Sequence, residues 1–249
     1  MLEPEIRVFE YSSHLYWAAA TRFEELARVK AIEKKVFTAA LSGGSTPKPL
    51  YEILGNAAFA GLVQWTNVQL FQVDERSVPP DDPESNYRLI RGTMLESLAL
   101  PKGNFHRMQA ERPDREQAAR DYAEELGSVL APAPGEFPHL DLVYLGMGPD
   151  GHTASLFPGS PALEEQKLWV ASNYVAKLQA YRLTLTLPVL NAAAHVIFMV
   201  TGADKAGALR EVLEGPAGRL PAQRIQPVYG DVSWFVDRDA ASLLRRAGR

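Results

Sequence analysis

The stretch Gly146-Met-Gly-Pro-Asp-Gly-His152 sets a histidine two residues after an aspartate and surrounds both with glycine. A neutral imidazole titrates near physiological pH, so His152 is a natural general base for activating water. A lone histidine is more often structural, which is the reading for His14, His106, His139 and His195. Asp74-Glu75-Arg76 gathers three ionisable groups whose burial and mutual charge would perturb them as catalysis requires; a surface ion-pair cluster is the equal alternative. Arg76 suits a carbonyl or phosphate oxygen, because its guanidinium is permanently charged and presents a fixed fork of donors. Ser42-Gly43-Gly44-Ser45-Thr46-Pro47 reads as a phosphate cradle: glycines admit a ligand close to the backbone, and hydroxyls and a helix start supply donors. The other reading is an ordinary strand-to-helix turn capped by Ser or Thr. Arg182 and Lys205 each lie beside an apolar run and would either anchor a phosphate dianion or simply be solvated.

These residues need elements to position them, and the chain alternates short apolar runs with helical stretches. Strands are expected at Ile6–Phe9, Val36–Leu41, Val68–Val73, Leu140–Leu145, Leu168–Val170, Arg182–Leu187, His195–Val200 and Val232–Val236. Helices are expected from Ser12 or Ser13 (the serine serving as cap), Pro47–Leu54, Ser85–Leu98, Asp114–Leu130, Ala203–Leu213 and Arg238–Arg246. The rhythm predicts a single α/β domain over residues 1–249, Rossmann-like, with a mostly parallel sheet and helices on both faces. In such sheets ligands bind beyond the carboxyl ends of the strands. Ser42–Thr46, Asp74–Arg76, Gly146–His152 and Thr201–Lys205 all follow expected strands, so four loops should line one pocket.

Composition narrows the chemistry. With no cysteine in 249 residues there is no disulfide, thiolate nucleophile or cysteine-ligated metal. One His and one Asp are too few for a metal site, so none is expected. The glycine loop is followed by neither the Gly-Lys-Ser/Thr of a nucleotide-phosphate loop nor a dinucleotide fingerprint, so no cofactor is expected. A net charge of -4, with only Arg245-Arg246 as a basic pair, argues against nucleic acid. No apolar run approaches a membrane span and Met1–Glu10 shows no leader pattern, so a cytoplasmic protein, a monomer or small homo-oligomer, is expected.

Ser42-Gly-Gly-Ser-Thr-Pro47, Val73-Asp-Glu-Arg76, Glu84-Ser-Asn86, Gly146-Met-Gly-Pro-Asp-Gly-His-Thr-Ala-Ser-Leu-Phe-Pro158, Arg182-Leu-Thr-Leu-Thr-Leu187 and Thr201-Gly-Ala-Asp-Lys-Ala206 together resemble the 6-phosphogluconolactonases, in that family's order. The resemblance implies the Rossmann-like fold shared with glucosamine-6-phosphate deaminases. It also implies hydrolysis of 6-phosphogluconolactone, a sugar-phosphate lactone of the pentose phosphate pathway. His152 would be the base and Arg76 the stabiliser of the developing oxyanion; Asp74, counted with them among the catalytic residues, would either help chemically or only orient its neighbours. Gly43, Gly44, Ser45 and Thr46, with Arg182 and Lys205, would hold the 6-phosphate. The deaminases resemble Gly-His-Ile-Ala-Phe-Asn-Glu-Pro where this chain has Gly151-His-Thr-Ala-Ser-Leu-Phe-Pro158, so their glutamate falls at Phe157. A phenyl ring can neither accept as a carboxylate does nor transfer a proton, which favours the lactonase. A non-catalytic sugar-phosphate sensor would need neither His152 nor Arg76, and its usual DNA-binding segment has no room before Ile6.

Overall fold

The computed structural model describes residues 4–245. In chain order the elements are β1 (Glu5–Phe9), α1 (Ser12–Ile32), β2 (Phe37–Leu41), α2 (Lys48–Leu54), α3 (Ala57–Ala60), β3 (Val68–Gln72), β4 (Asp74–Arg76), α4 (Asn86–Thr93) and β5 (Phe105–His106). They continue with α5 (Arg115–Leu130), β6 (Leu142–Gly146), β7 (Val170–Val175), β8 (Ala180–Leu185), α6 (Leu187–Leu190), β9 (His195–Val200), α7 (Ala206–Glu214) and β10 (Asp231–Asp237). Seven strands form one sheet in the order β1-β10-β9-β6-β2-β3-β5, and every pairing in it is parallel.

Alternation along the central strands explains why both faces are covered. Ala40, Val143, Leu145, Phe198 and Val200 point into a core shared with α5 and α7. Their neighbours Ala39, Leu41, Leu142, Tyr144, Ile197 and Met199 point into a second core shared with α1, α2 and α4. Successive strand side chains alternate faces, so strands buried on both sides read as continuous apolar runs. The mostly parallel α/β sandwich expected from the sequence is therefore what forms. No helix among the described residues is long and apolar enough to cross a membrane.

Several boundaries differ from expectation. Asp74–Arg76 is not a loop but a short strand, β4, which pairs antiparallel with β8; β8 pairs with β7 to complete a second, three-stranded sheet. The run that should begin at Leu168 becomes β7, whose Ala-Ser-Asn-Tyr core has no apolar continuity to announce it. The two-residue β5 is too short to register as a pattern. Helix α4 stops at Thr93, and Leu95–Ser97 continues only as a 3-10 turn. Helix α1 has no side-chain cap, so neither Ser12 nor Ser13 performs the expected capping. The closing helix is reduced to the 3-10 turn Ala240–Leu243, and its expected end at Arg246 lies outside the described residues.

Candidate active site

Strands β9, β6, β2 and β3 are consecutive in the parallel sheet, so their carboxyl ends open on one side. There a cleft of about 250 Å³ is lined by Ser42 to Pro47, Asp74, Arg76, Asn86, Gly146 to Pro149, His152, Ala154 and Lys205. All four loops thus meet. A larger cavity of about 430 Å³ lies elsewhere, between the end of α7 and the start of β10, and is lined by Val212, Ile225, Val232 and Trp234. It belongs to the amino ends of the strands and gathers no comparable set of polar groups.

The loop after β6 is built around His152. Gly148 donates its N–H to the His152 carbonyl (2.9 Å), and Gly151 donates to Gly148 O (3.0 Å), folding the segment back on itself. A Cβ at Gly148 would stand 2.1 Å from both Cε1 and Nδ1 of His152, so only glycine lets the ring lie there. Nδ1 sits 2.5 Å from Asp150 Oδ1. The ionised carboxylate can only accept, so the proton of a neutral imidazole belongs on Nδ1 and the lone pair on Nε2. Lys177, from the turn between β7 and β8, donates to the other carboxylate oxygen of Asp150. Partial burial pushes the Asp150 carboxyl upward, but hydrogen bonds from Lys177 and His152, with the charge of the latter, outweigh it and hold the group well below the ordinary carboxylate range. The opposite flank of the imidazole is Phe157, stacked with ring centroids 4.1 Å apart.

Strand β4 supplies the facing wall. Asp74 is buried; it accepts from Ser155 Oγ at 2.7 Å, which ties it to the same loop that carries His152. Its backbone partner across the sheet is Thr184, whose Oγ1 accepts from Ser155 N (3.2 Å). The second sheet therefore welds two of the four loops together. Glu75 has a structural role, since its carboxylate accepts from the N–H groups of Arg76, Asn86 and Tyr87 (each 2.8 Å), from Ser85 Oγ (3.1 Å) and from Gln72 Nε2 (2.9 Å). A fully satisfied carboxylate at the first turn of α4 caps that helix and complements its dipole. Arg76 reaches the cleft and donates to the Glu84 carbonyl.

Arg182 stands opposite Arg76 in the β4–β8 register but does not line the cleft itself. Burial, then the charge of Arg76, lowers its pKa, against the pull of Asp74, Glu84 and Glu75. A guanidinium starts so high that it stays charged. Lys205 lines the cleft, with Nζ 2.9 Å from Asp204. In the Ser42–Pro47 loop, the N–H groups of Gly44, Ser45 and Thr46 have no protein acceptor among the described residues and are free to meet an anion. Asp150 and His152 adjoin, yet among the described residues no group of three His, Cys, Asp or Glu could hold a metal.

Residue types and spacing thus locate most of the cleft and miss three contributors. Lys177 is invisible in the sequence because it lies 25 positions beyond His152 on an unforeseen hairpin. Asn86 stands there only as part of a motif, with no role attached. Ala154 lines the cleft at φ +50°, a conformation that non-glycine residues seldom adopt and that composition does not reveal.

A family profile described as glucosamine-6-phosphate isomerases/6-phosphogluconolactonase matches residues 10–234. The chain is 43% identical over 220 residues to a 6-phosphogluconolactonase of Synechocystis sp., covering 87% of this chain and 88% of that protein. It is similar to the solved structure of 6-phosphogluconolactonase from Trypanosoma brucei, with a TM-score of 0.87 and 29% identity over 98% of this chain and 100% of that one. A monomeric glucosamine-6-phosphate deaminase shares the fold, at a TM-score of 0.82 and 21% identity over 96% of this chain and 99% of that one.

Proposed function

The chain belongs to the glucosamine-6-phosphate isomerase/6-phosphogluconolactonase family, and we propose that it hydrolyses 6-phosphogluconolactone to 6-phosphogluconate in the cleft around His152. The observation that carries the choice of reaction is Phe157. It packs flat on the imidazole, where the deaminase pattern would have a glutamate, and offers no proton acceptor. What remains beside His152 is Asp150, which orients the base and is itself held by Lys177.

The reaction follows from these parts. A water held near Nε2 of His152 attacks C1 of the lactone while Nε2 takes its proton. The carbonyl oxygen becomes an alkoxide facing Arg76, whose fixed charge is worth more there than in bulk water. Collapse of the tetrahedral species breaks the bond from C1 to the ring oxygen. That oxygen takes the proton back from His152, and the new carboxylic acid ionises into solvent. Asp74 sits beside this centre as a buried acceptor that keeps the two walls in register. The 6-phosphate is received by the unpaired N–H groups of the Gly43–Thr46 loop and by Lys205, with Arg182 adding positive potential from its place beside Arg76 on the neighbouring strand. General-base help is worth about 10²–10⁴-fold, and preorganised charge adds a further factor of about 10²–10³; a strained cyclic ester asks for no more.

Fresh 6-phosphogluconolactone incubated with the purified protein should release acid far faster than it opens spontaneously, and glucosamine 6-phosphate should yield no ammonia. Ammonia release without acid release would return the deaminase reading.

A further inference from the structure

We propose that Asn86 is a positioning residue for the phosphate loop: its side chain occupies the space beneath Gly43 and thereby sets the distance between that loop and the Asp74–Arg76 strand. This role rests on the reading of the cleft as a sugar-phosphate site, in which Asn86 otherwise has no part.

Asn86 is the first residue of α4 and is only 2% exposed, although it borders the cleft. Its backbone N–H goes to Glu75 Oε1 (2.8 Å), so the carboxylate next to Arg76 fixes where α4 begins. Its Nδ2 donates to the Asp74 carbonyl (2.9 Å) and lies 3.4 Å from Asp74 Oδ1, joining the side chain to β4. The amide orientation is settled by that bond, since the reverse would set two acceptors against each other. Oδ1 is then left buried and without a hydrogen-bond partner, which costs free energy and is uncommon in a folded chain.

The other side of that amide explains its retention. A Cβ at Gly43 would lie 1.7 Å from Asn86 Oδ1, 2.0 Å from Cγ and 2.8 Å from Cβ. The Gly43 backbone therefore rests directly on the amide. A shorter residue at 86 would let the loop sink; a larger one at 43 would lift it. Asn86 acts as a spacer between the loop that meets the phosphate and the strand that carries Arg76, and the orphaned acceptor is the consequence of that packing.

Four proteins test this: wild type, Gly43→Ala, Asn86→Ala and the double variant. Each is checked for folding by circular dichroism, then measured for kcat and KM with the lactone and for affinity toward inorganic phosphate by calorimetry. Gly43→Ala should raise KM and the phosphate Kd roughly tenfold or more, with a smaller effect on kcat, because directly contacting residues couple strongly. In the double variant the two worst overlaps vanish, so KM should return to within about threefold of the Asn86→Ala value. A Gly43→Ala chain that fails to fold while the double variant folds carries the same conclusion. A double variant whose KM and phosphate Kd equal or exceed the product of the single effects overturns the proposal, as does a wild type that binds no phosphate. A wild type that binds phosphate but hydrolyses no lactone would defeat the assigned reaction, and the phosphate affinities would still decide the spacing.

Discussion

Replacing Asp150 by asparagine separates the orientation of the base from its presence. In the wild type the Asp150 carboxylate, 2.5 Å from Nδ1, fixes the proton there and leaves the Nε2 lone pair for water. An asparagine can turn its NH₂ toward Nδ1 and stabilise the opposite tautomer, in which Nε2 carries hydrogen and cannot act as a base. General-base catalysis contributes about 10²–10⁴-fold, so the loss of most of it should lower kcat about 10²–10³-fold, or about 2.7–4.1 kcal/mol at about 1.36 kcal/mol per tenfold. Asp150 does not line the cleft, so KM should hold within about twofold, a pattern expected when only the transition state loses an interaction. The side chain is 27% exposed and the exchange is isosteric, so the fold should survive. Acid release from fresh lactone, followed with a pH indicator and corrected for spontaneous opening, supplies both constants. A variant whose kcat stays within about threefold of wild type would refute the dyad, since general-base contributions are larger than that.

Two other outcomes follow from the same geometry. Gly148→Ala would place a Cβ 2.1 Å from the imidazole and must displace it, so kcat should fall about 10²-fold while phosphate affinity is kept; steady-state kinetics with phosphate calorimetry would read both. Asp150 has a folded-state pKa below its unfolded one, so the stability it adds is complete above about pH 4 and is lost as pH falls through the folded value. Urea unfolding of wild type and Asp150→Asn should therefore differ most near neutrality and converge toward about pH 2; a constant difference would contradict the Lys177–Asp150–His152 arrangement.

The parallel core was legible because its strands are apolar on both faces, and apolar runs ending in Gly, Ser, Asp or Lys advertise strand ends. His152 was legible for a similar reason: glycines at 148 and 151 clear space for the imidazole and for Leu220 that an ordinary turn does not need. The second sheet was legible only in part. Arg182–Leu187 was expected as a strand and overlaps β8, but β7 was foreseen only as far as Val170 and its antiparallel pairing not at all, because Ser172 and Asn173 interrupt its apolar run and the hairpin tip, where Tyr174 and Tyr181 are exposed, is solvated. Lys177 went unseen with that hairpin. Glu75 belonged to a charge cluster that read equally as catalytic or as surface ion pairs; it is neither, since its five hydrogen bonds, including those to the first turn of α4, are a matter of three-dimensional proximity that no spacing encodes. Asn86 and Gly43 lie 43 positions apart, and their contact depends on how α4 meets the loop after β2.

Everything in the proposed reaction depends on His152 being the base for lactone hydrolysis. The direct measurement is kcat/KM with fresh 6-phosphogluconolactone for wild type and His152→Ala, each corrected for the uncatalysed rate. Wild type should stand well above background and the variant should lose about 10²–10⁴-fold, with phosphate affinity retained. Equal values for the two proteins would contradict that role.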